Sequence, residues 1–252
     1  MNNRLTTPLF SIAFFTLLLA HAGTLLAATV SPTQWTRGDG PGATYQAWQT
    51  FVGAGPWAPD LADQNPNASA SLSGTNSVTG NSFNPTSSGN IYTFTDPGNF
   101  SIDVPAYGLG TGHFTTVLLE TRTHGMELDY SGIQLDSMPP SMTVELGRQT
   151  VDTTFGPATQ VDTWYQWNLP ASAGGAASHA ITFSGADFHV SLVEVAVDTY
   201  TTNAGPVVEP SPIPEPASEC LLLVGLAVAA CLWVSRLWKP RAATGGGERN
   251  PQ

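Results

Sequence analysis

Between Phe188 and Val197 apolar and polar positions alternate more clearly than anywhere else in the chain. Phe188, Val190 and Leu192 keep one phase; Val193, Val195 and Val197 take the other. Successive side chains of a strand point to opposite faces, so a slip between two adjacent apolar residues predicts a β-bulge. Weaker versions of the same period precede it. Residues 91–94 and 99–104 flank an Asp96-Pro97-Gly98 turn and predict a hairpin. Residues 113–121, centred on Thr116-Val117-Leu118-Leu119-Glu120, predict a strand buried on both faces. Residues 126–130, 142–148, 160–169 and 179–184 predict further strands, separated by Pro- and Gly-bearing turns.

Upstream the pattern is less regular. Tyr45, Trp48 and Phe51 are spaced three apart, which suits a helical turn as well as a strand. Residues 67–89 form a Ser/Asn/Gly/Thr run with Val78 and Phe83 as its few apolar points, and predict a long surface excursion with at most one weak strand. Eight to ten short strands with no amphipathic helix predict an all-β fold: a single β-sandwich, jelly-roll-like, over residues 29–202.

Charge sharpens the picture. Of 19 acidic residues, 16 fall between Thr29 and Ile213, where Arg37, Arg122 and Arg148 are the only Lys or Arg side chains, for a net charge of −13. Such a domain repels phosphate backbones, which excludes nucleic acid as a partner. Both cysteines, Cys220 and Cys231, lie outside it, so it has neither a disulfide framework nor a thiolate metal site.

The two ends carry the targeting information. Residues 1–28 combine Arg4, an apolar run from Leu9 to Ala20 and small residues, the pattern of a signal peptide. Cleavage fits after Ala28, and Ala20-His21-Ala22 offers a competing site. At the other end, residues 203–218 hold Pro206, Pro210, Pro212, Pro214 and Pro216 and predict an extended stalk. Residues 219–238 are expected to form a membrane-spanning helix, followed by a basic cytoplasmic tail over 239–252. The uncharged core of that span, Cys220 to Val234, is roughly 23 Å of helix against about 30 Å of hydrocarbon.

Pro214-Glu215-Pro216, the apolar span and the basic stop Arg236, Lys239 and Arg241 resemble the PEP-CTERM sorting signal of exopolysaccharide-producing bacteria. The resemblance covers about residues 212–241, and the chain departs from the family in continuing for eleven residues past Arg241. It implies an exosortase as processing partner. Membrane anchoring would come first, followed by delivery to the cell surface or extracellular matrix.

Within the outer domain no G-x-S-x-G, H-E-x-x-H or phosphate-binding glycine loop occurs, and no catalytic residue is assigned. Glu120, Glu127, Asp129, Glu145 and Glu194 fall on expected strands and could pair across a cleft. No cofactor is expected; a structural Ca²⁺ would find its ligands at Asp187 and Asp198. Trp35, Trp48, Trp57, Trp164 and Trp167 are candidates for stacking on sugar rings, with core packing as the competing role. The function expected is that of a non-enzymatic surface or matrix protein, structural or adhesive and associated with exopolysaccharide. A carbohydrate-binding module is the alternative, and a glycan-active enzyme a more distant one.

Overall fold

Every strand expected from residue 98 onward forms except one, in a computed structural model that describes residues 30–37, 40, 42–60 and 70–207. The expected signal peptide, Pro214-Glu215-Pro216, the expected membrane span and the basic stop Arg236, Lys239 and Arg241 lie outside the described residues. The chain divides into two units, Met1–Pro212 and Ile213–Gln252, and every described residue belongs to the first. Among the described residues no helix is long and apolar enough to cross a membrane.

The fold is all-β, built from two open antiparallel sheets. The larger is ordered β1 (Ala43–Trp48), β10 (Val190–Thr202), β5 (Phe114–Gly125), β8 (Gly156–Leu169), β7 (Met142–Thr153), with β3 (Ile91–Tyr92) also paired to β10. The smaller is ordered β2 (Ser71–Asn76), β4 (Gly98–Pro105), β9 (Ser178–Ser184), β6 (Gln134–Leu135). Trp48, Leu119, Tyr165, Trp167 and Val197 from the first sheet share one buried cluster with Leu72, Phe100, Ile102, Ile181 and Phe183 from the second. The period-two pattern makes this possible, because each strand turns one apolar row inward. In β4 that row is Phe100, Ile102 and Val104, with half-buried Ser101 and exposed Asp103 between them.

The expected bulge is present. β10 keeps register with β5 except between Leu192 and Glu194, so Val190 and Leu192 before the slip and Val195 and Val197 after it all reach the core. Residues 43–48 resolve the helix-or-strand choice: they form β1, paired to β10 from Ala43↔Tyr200 to Trp48↔Val195.

Three expectations are corrected. Residues 91–94 and 99–104 do not form a hairpin. β3 joins β10, with Thr93 N–H donating to the Val190 carbonyl, while both edges of β4 are taken by β2 and β9. The Asp96-Pro97-Gly98 turn therefore carries the chain from one sheet to the other. The run at 67–89 contains a full strand, β2, whose single buried leucine, Leu72, fills the core while its outward positions are Ser and Thr. Residues 126–130 are not a strand. Asp129 accepts from Ser131 N–H and caps a 3₁₀ turn, Tyr130–Gly132, leaving Leu128 only an isolated bridge to Gly185.

Candidate binding face

The outer surface of the larger sheet gathers most of the domain's polar chemistry and aromatic surface. Alternation aims Tyr45 on β1, Glu194, Asp198 and Tyr200 on β10, Glu120, Arg122 and His124 on β5, and Gln160, Asp162 and Trp164 on β8 to that side. Three zones follow one another along the strands.

The first zone is covered by residues 30–37. Trp35 stacks on Tyr200 with ring centroids 5.2 Å apart, and Arg37 grips Asp198 through two bonds of 2.8 and 2.7 Å. The same guanidinium lies 3.8 Å over the Tyr45 ring and donates to the Val30 carbonyl. Val30 N–H in turn donates to Glu120 Oε2 at 3.1 Å. Burial pushes the Glu120 carboxyl up to about 8, and neighbouring Asp198 and Glu194 act in the same direction, against the pull of the Val30 bond and the Arg37 charge.

A raised carboxyl has a definite consequence for stability. Below the ordinary value of 4.5 both states are protonated; between there and about 8 the unfolded chain ionises and the native one does not. The Glu120 contribution is therefore fully present at low pH and is lost as pH rises across that window. Thermal midpoints from pH 5 to 8 should fall in the parent protein and fall less in Glu120→Gln. An equal decline in both would assign the effect to other groups.

The second zone is an ion network. Arg122 donates to Asp162 at 2.6 Å and to Glu194 at 2.9 Å, while Gln49 and Gln160 donate to the same two carboxylates. His124 faces Gln160 at 3.1 Å, and burial holds its imidazole below the ordinary value.

The third zone is open and aromatic. Tyr92, opposite Ser191 on β10, meets Phe94 edge-on at 4.5 Å and stacks with Phe155 at 5.9 Å. Its hydroxyl pairs with His189 Nδ1, and Phe188 packs beside that imidazole at 4.4 Å. Phe155 is 77 % exposed, Phe94 58 % and Phe188 40 %. The placement is built rather than accidental. Phe155 sits in the two-residue tip of the β7–β8 hairpin, closed by Thr153 Oγ1 donating to the Gly156 carbonyl. His189 is held at φ +68°, and Gly125, at φ +84°, approaches its carbonyl so closely that a Cβ would lie 2.6 Å away.

The residues singled out in the sequence lie elsewhere. All five tryptophans are buried: Trp35, Trp48, Trp57, Trp164 and Trp167 take the core-packing role weighed against sugar stacking, and form no exposed platform. Trp48 and Trp167 donate to the carbonyls of Trp57 and Met138, and Trp57 to that of Gly53. Trp164 joins Trp35 and Leu118 in a second buried cluster on the outer face. Indoles are too large and apolar to leave outside while a core needs filling. Asp187 caps Phe188 N–H and Asp198 is paired with Arg37; the eight strand steps from Val190 to Asp198 alone span about 27 Å, so the two do not share an ion. Among the described residues no group of three or more His, Cys, Asp or Glu is gathered as a metal site. Glu127 and Glu145 are bound to Arg148.

Periodicity places Phe188 and Phe94 on strands and gives no signal for Phe155; none is marked as a binding group, because each stands in or beside a turn, where face does not follow from parity. An isolated aromatic inside turn chemistry, as in Thr153-Thr154-Phe155-Gly156, was the available cue. On the opposite side of the molecule, a shallow concavity of about 360 Å³ is lined by Ser73, Thr75, Asn99, Ser101, Thr182 and Ser184 above the buried Phe100 and Phe183. It offers hydroxyl and amide groups without an exposed ring.

No family model, no curated protein and no solved structure matches the chain.

Proposed function

We propose that this is an exported, non-enzymatic adhesive protein that holds neutral polysaccharide on Tyr92, Phe94, Phe155 and Phe188. Its two sheets are read as a jelly-roll-like sandwich. Its C-terminal signal, with Pro214-Glu215-Pro216 and the basic stop, is read as the substrate of an exosortase that leaves the domain at the cell surface or in the extracellular matrix.

The observation that carries the binding role is the exposed aromatic group. Ring faces of this kind pack on the apolar faces of pyranoses, and contiguous exposed apolar surface on a soluble domain marks an interaction site. The net charge of −13 over residues 29–213 disfavours acidic ligands, and the rim beside the rings carries His124, Gln160 and Ser191 rather than Lys or Arg. A neutral, hydroxyl-rich chain is the ligand class that fits both.

The test is titration of the full-length protein in detergent with neutral polysaccharides, including that of its own producer. Tyr92→Ala with Phe155→Ala should weaken binding about tenfold or more, as expected from two stacking contacts of about 0.5–1.5 kcal/mol each. Phe155→Ala alone should leave the thermal midpoint nearly unchanged, and the double variant should lose only the contacts of Tyr92 with Phe94 and His189. In the producing cells, intact-mass analysis should show loss of the tail near Pro216. A retained tail alongside an active exosortase contradicts the sorting half, and unchanged glycan affinity in the double variant contradicts the binding half.

A further inference from the structure

The aromatic group and the exit of the chain toward its C-terminal signal lie at opposite ends of one strand. β10 starts at Val190, directly after Phe188 and His189, and ends at Thr202. At 3.2–3.4 Å per residue it spans about 40 Å. Beyond it, Thr116 Oγ1 donates to the Val207 carbonyl at 2.7 Å, and Val207 packs on the Trp35, Leu118 and Trp164 cluster. The departing chain is therefore fastened to the sheet at Val207, near the start of the proline-rich stretch. β10 is an interior strand: β5 pairs with it from Val190 to Thr202, and β3 and then β1 line its other edge.

We infer that the domain is a load-bearing module in which tension between a glycan held on Tyr92, Phe94, Phe155 and Phe188 and the C-terminal attachment runs along β10 and loads its ladders in shear. This rests on the adhesive reading above. Antiparallel hydrogen bonds lie perpendicular to the strands, so a pull along the strand axis loads many together, whereas a pull across it opens them one pair at a time from the end. Load taken by Phe188 and His189 enters the backbone of β10 itself. Load taken by Phe155 enters at the β7–β8 tip and crosses the β8–β5 and β5–β10 ladders lengthwise. The N-terminal segment offers the contrasting geometry. Trp35 and Arg37 contact Tyr200 and Asp198, and β1 begins at Ala43 opposite Tyr200. Tension between that segment and the C-terminus peels β1 from β10 at adjacent ends.

The domain has no cysteine, so a single thiol defines the point of attachment. Full-length protein carrying Cys220→Ser and Cys231→Ser, immobilised through a C-terminal tag, would be pulled in single-molecule force spectroscopy from Thr154→Cys or from Ser31→Cys, both exposed positions. Forced unfolding reports the barrier along the pulled coordinate. The expected result is an unfolding force several-fold higher from position 154 than from position 31. Equal forces, or a weaker response from 154, overturn the inference. A thermal midpoint matching the parent verifies each variant, and Asp152→Cys, exposed on the same hairpin, replaces Thr154→Cys if that variant does not fold. The force ratio needs no glycan, so the two failures are distinct. Glycan binding with equal forces removes the mechanical role alone, while directional strength without glycan binding removes the adhesive reading beneath it.

Discussion

Replacing Trp48 with alanine is expected to destabilise the domain by about 3–5 kcal/mol, the range for emptying a fully buried aromatic site. The indole is 0 % exposed, lies in the cluster with Phe51, Trp57 and Leu72, and donates Nε1–H to the Trp57 carbonyl at 3.0 Å. Truncation removes the largest side chain from the point where β1 meets the smaller sheet's core and takes one of two donors from the Trp57 carbonyl, which keeps the Leu72 N–H. Trp48→Phe keeps most of the packing and should lose only about 0.5–1.5 kcal/mol, for one hydrogen bond to a carbonyl that Leu72 N–H still satisfies. Chemical denaturation with unchanged m-values would measure both. Phe155→Ala is the informative contrast: at 77 % exposure it should leave stability nearly unchanged. If Trp48→Ala unfolded at the parent's midpoint, the indole would not be a core group.

Arg122→Ala should cost about 3–5 kcal/mol as well, for an electrostatic reason. The guanidinium is the shared counter-ion of Asp162 and Glu194, with side-chain exposures of 9 % for Arg122 and Glu194 and 17 % for Asp162. Removing it leaves two carboxylates facing each other across β5. Gln160 and Gln49 still donate to them, which places the loss toward the lower end of the range. Neutralising the acids as well, with Asp162→Asn and Glu194→Gln in the Arg122→Ala background, should restore much of the stability, because uncompensated buried charge rather than a missing contact is the larger cost. The thermodynamic cycle over these variants decides the point: a combined variant no more stable than Arg122→Ala alone would mean that the arginine acts through its packing.

These two expectations show what kind of information the linear pattern held. Alternation in residues 188–197 announced the central strand and its bulge, because the pleat assigns faces by sequence parity and needs no knowledge of neighbours. It could not announce partners. The strand at 91–92 has no local reason to prefer β10 over the adjacent β4; that choice is made 97 residues away, where Thr93 N–H donates to the Val190 carbonyl and Val190 N–H to the Thr93 hydroxyl. Likewise Ser71 to Asn76 looks like a polar loop until Leu72 is seen filling the core between Trp57 and Ile102.

The candidate site divides in the same way. Composition alone set the acidity and the absence of lysine and cysteine from the domain. Which aromatics face solvent was a tertiary matter. Five tryptophans were the larger apolar groups and so went to the interiors of two clusters, whereas Phe155 and Phe188 stayed outside because they stand at a hairpin tip and a strand entrance. Face and burial follow from residue order only within a single strand. The union of Tyr92, Phe155 and His189, drawn from three separate segments, exists only because the sheet brings their ends together.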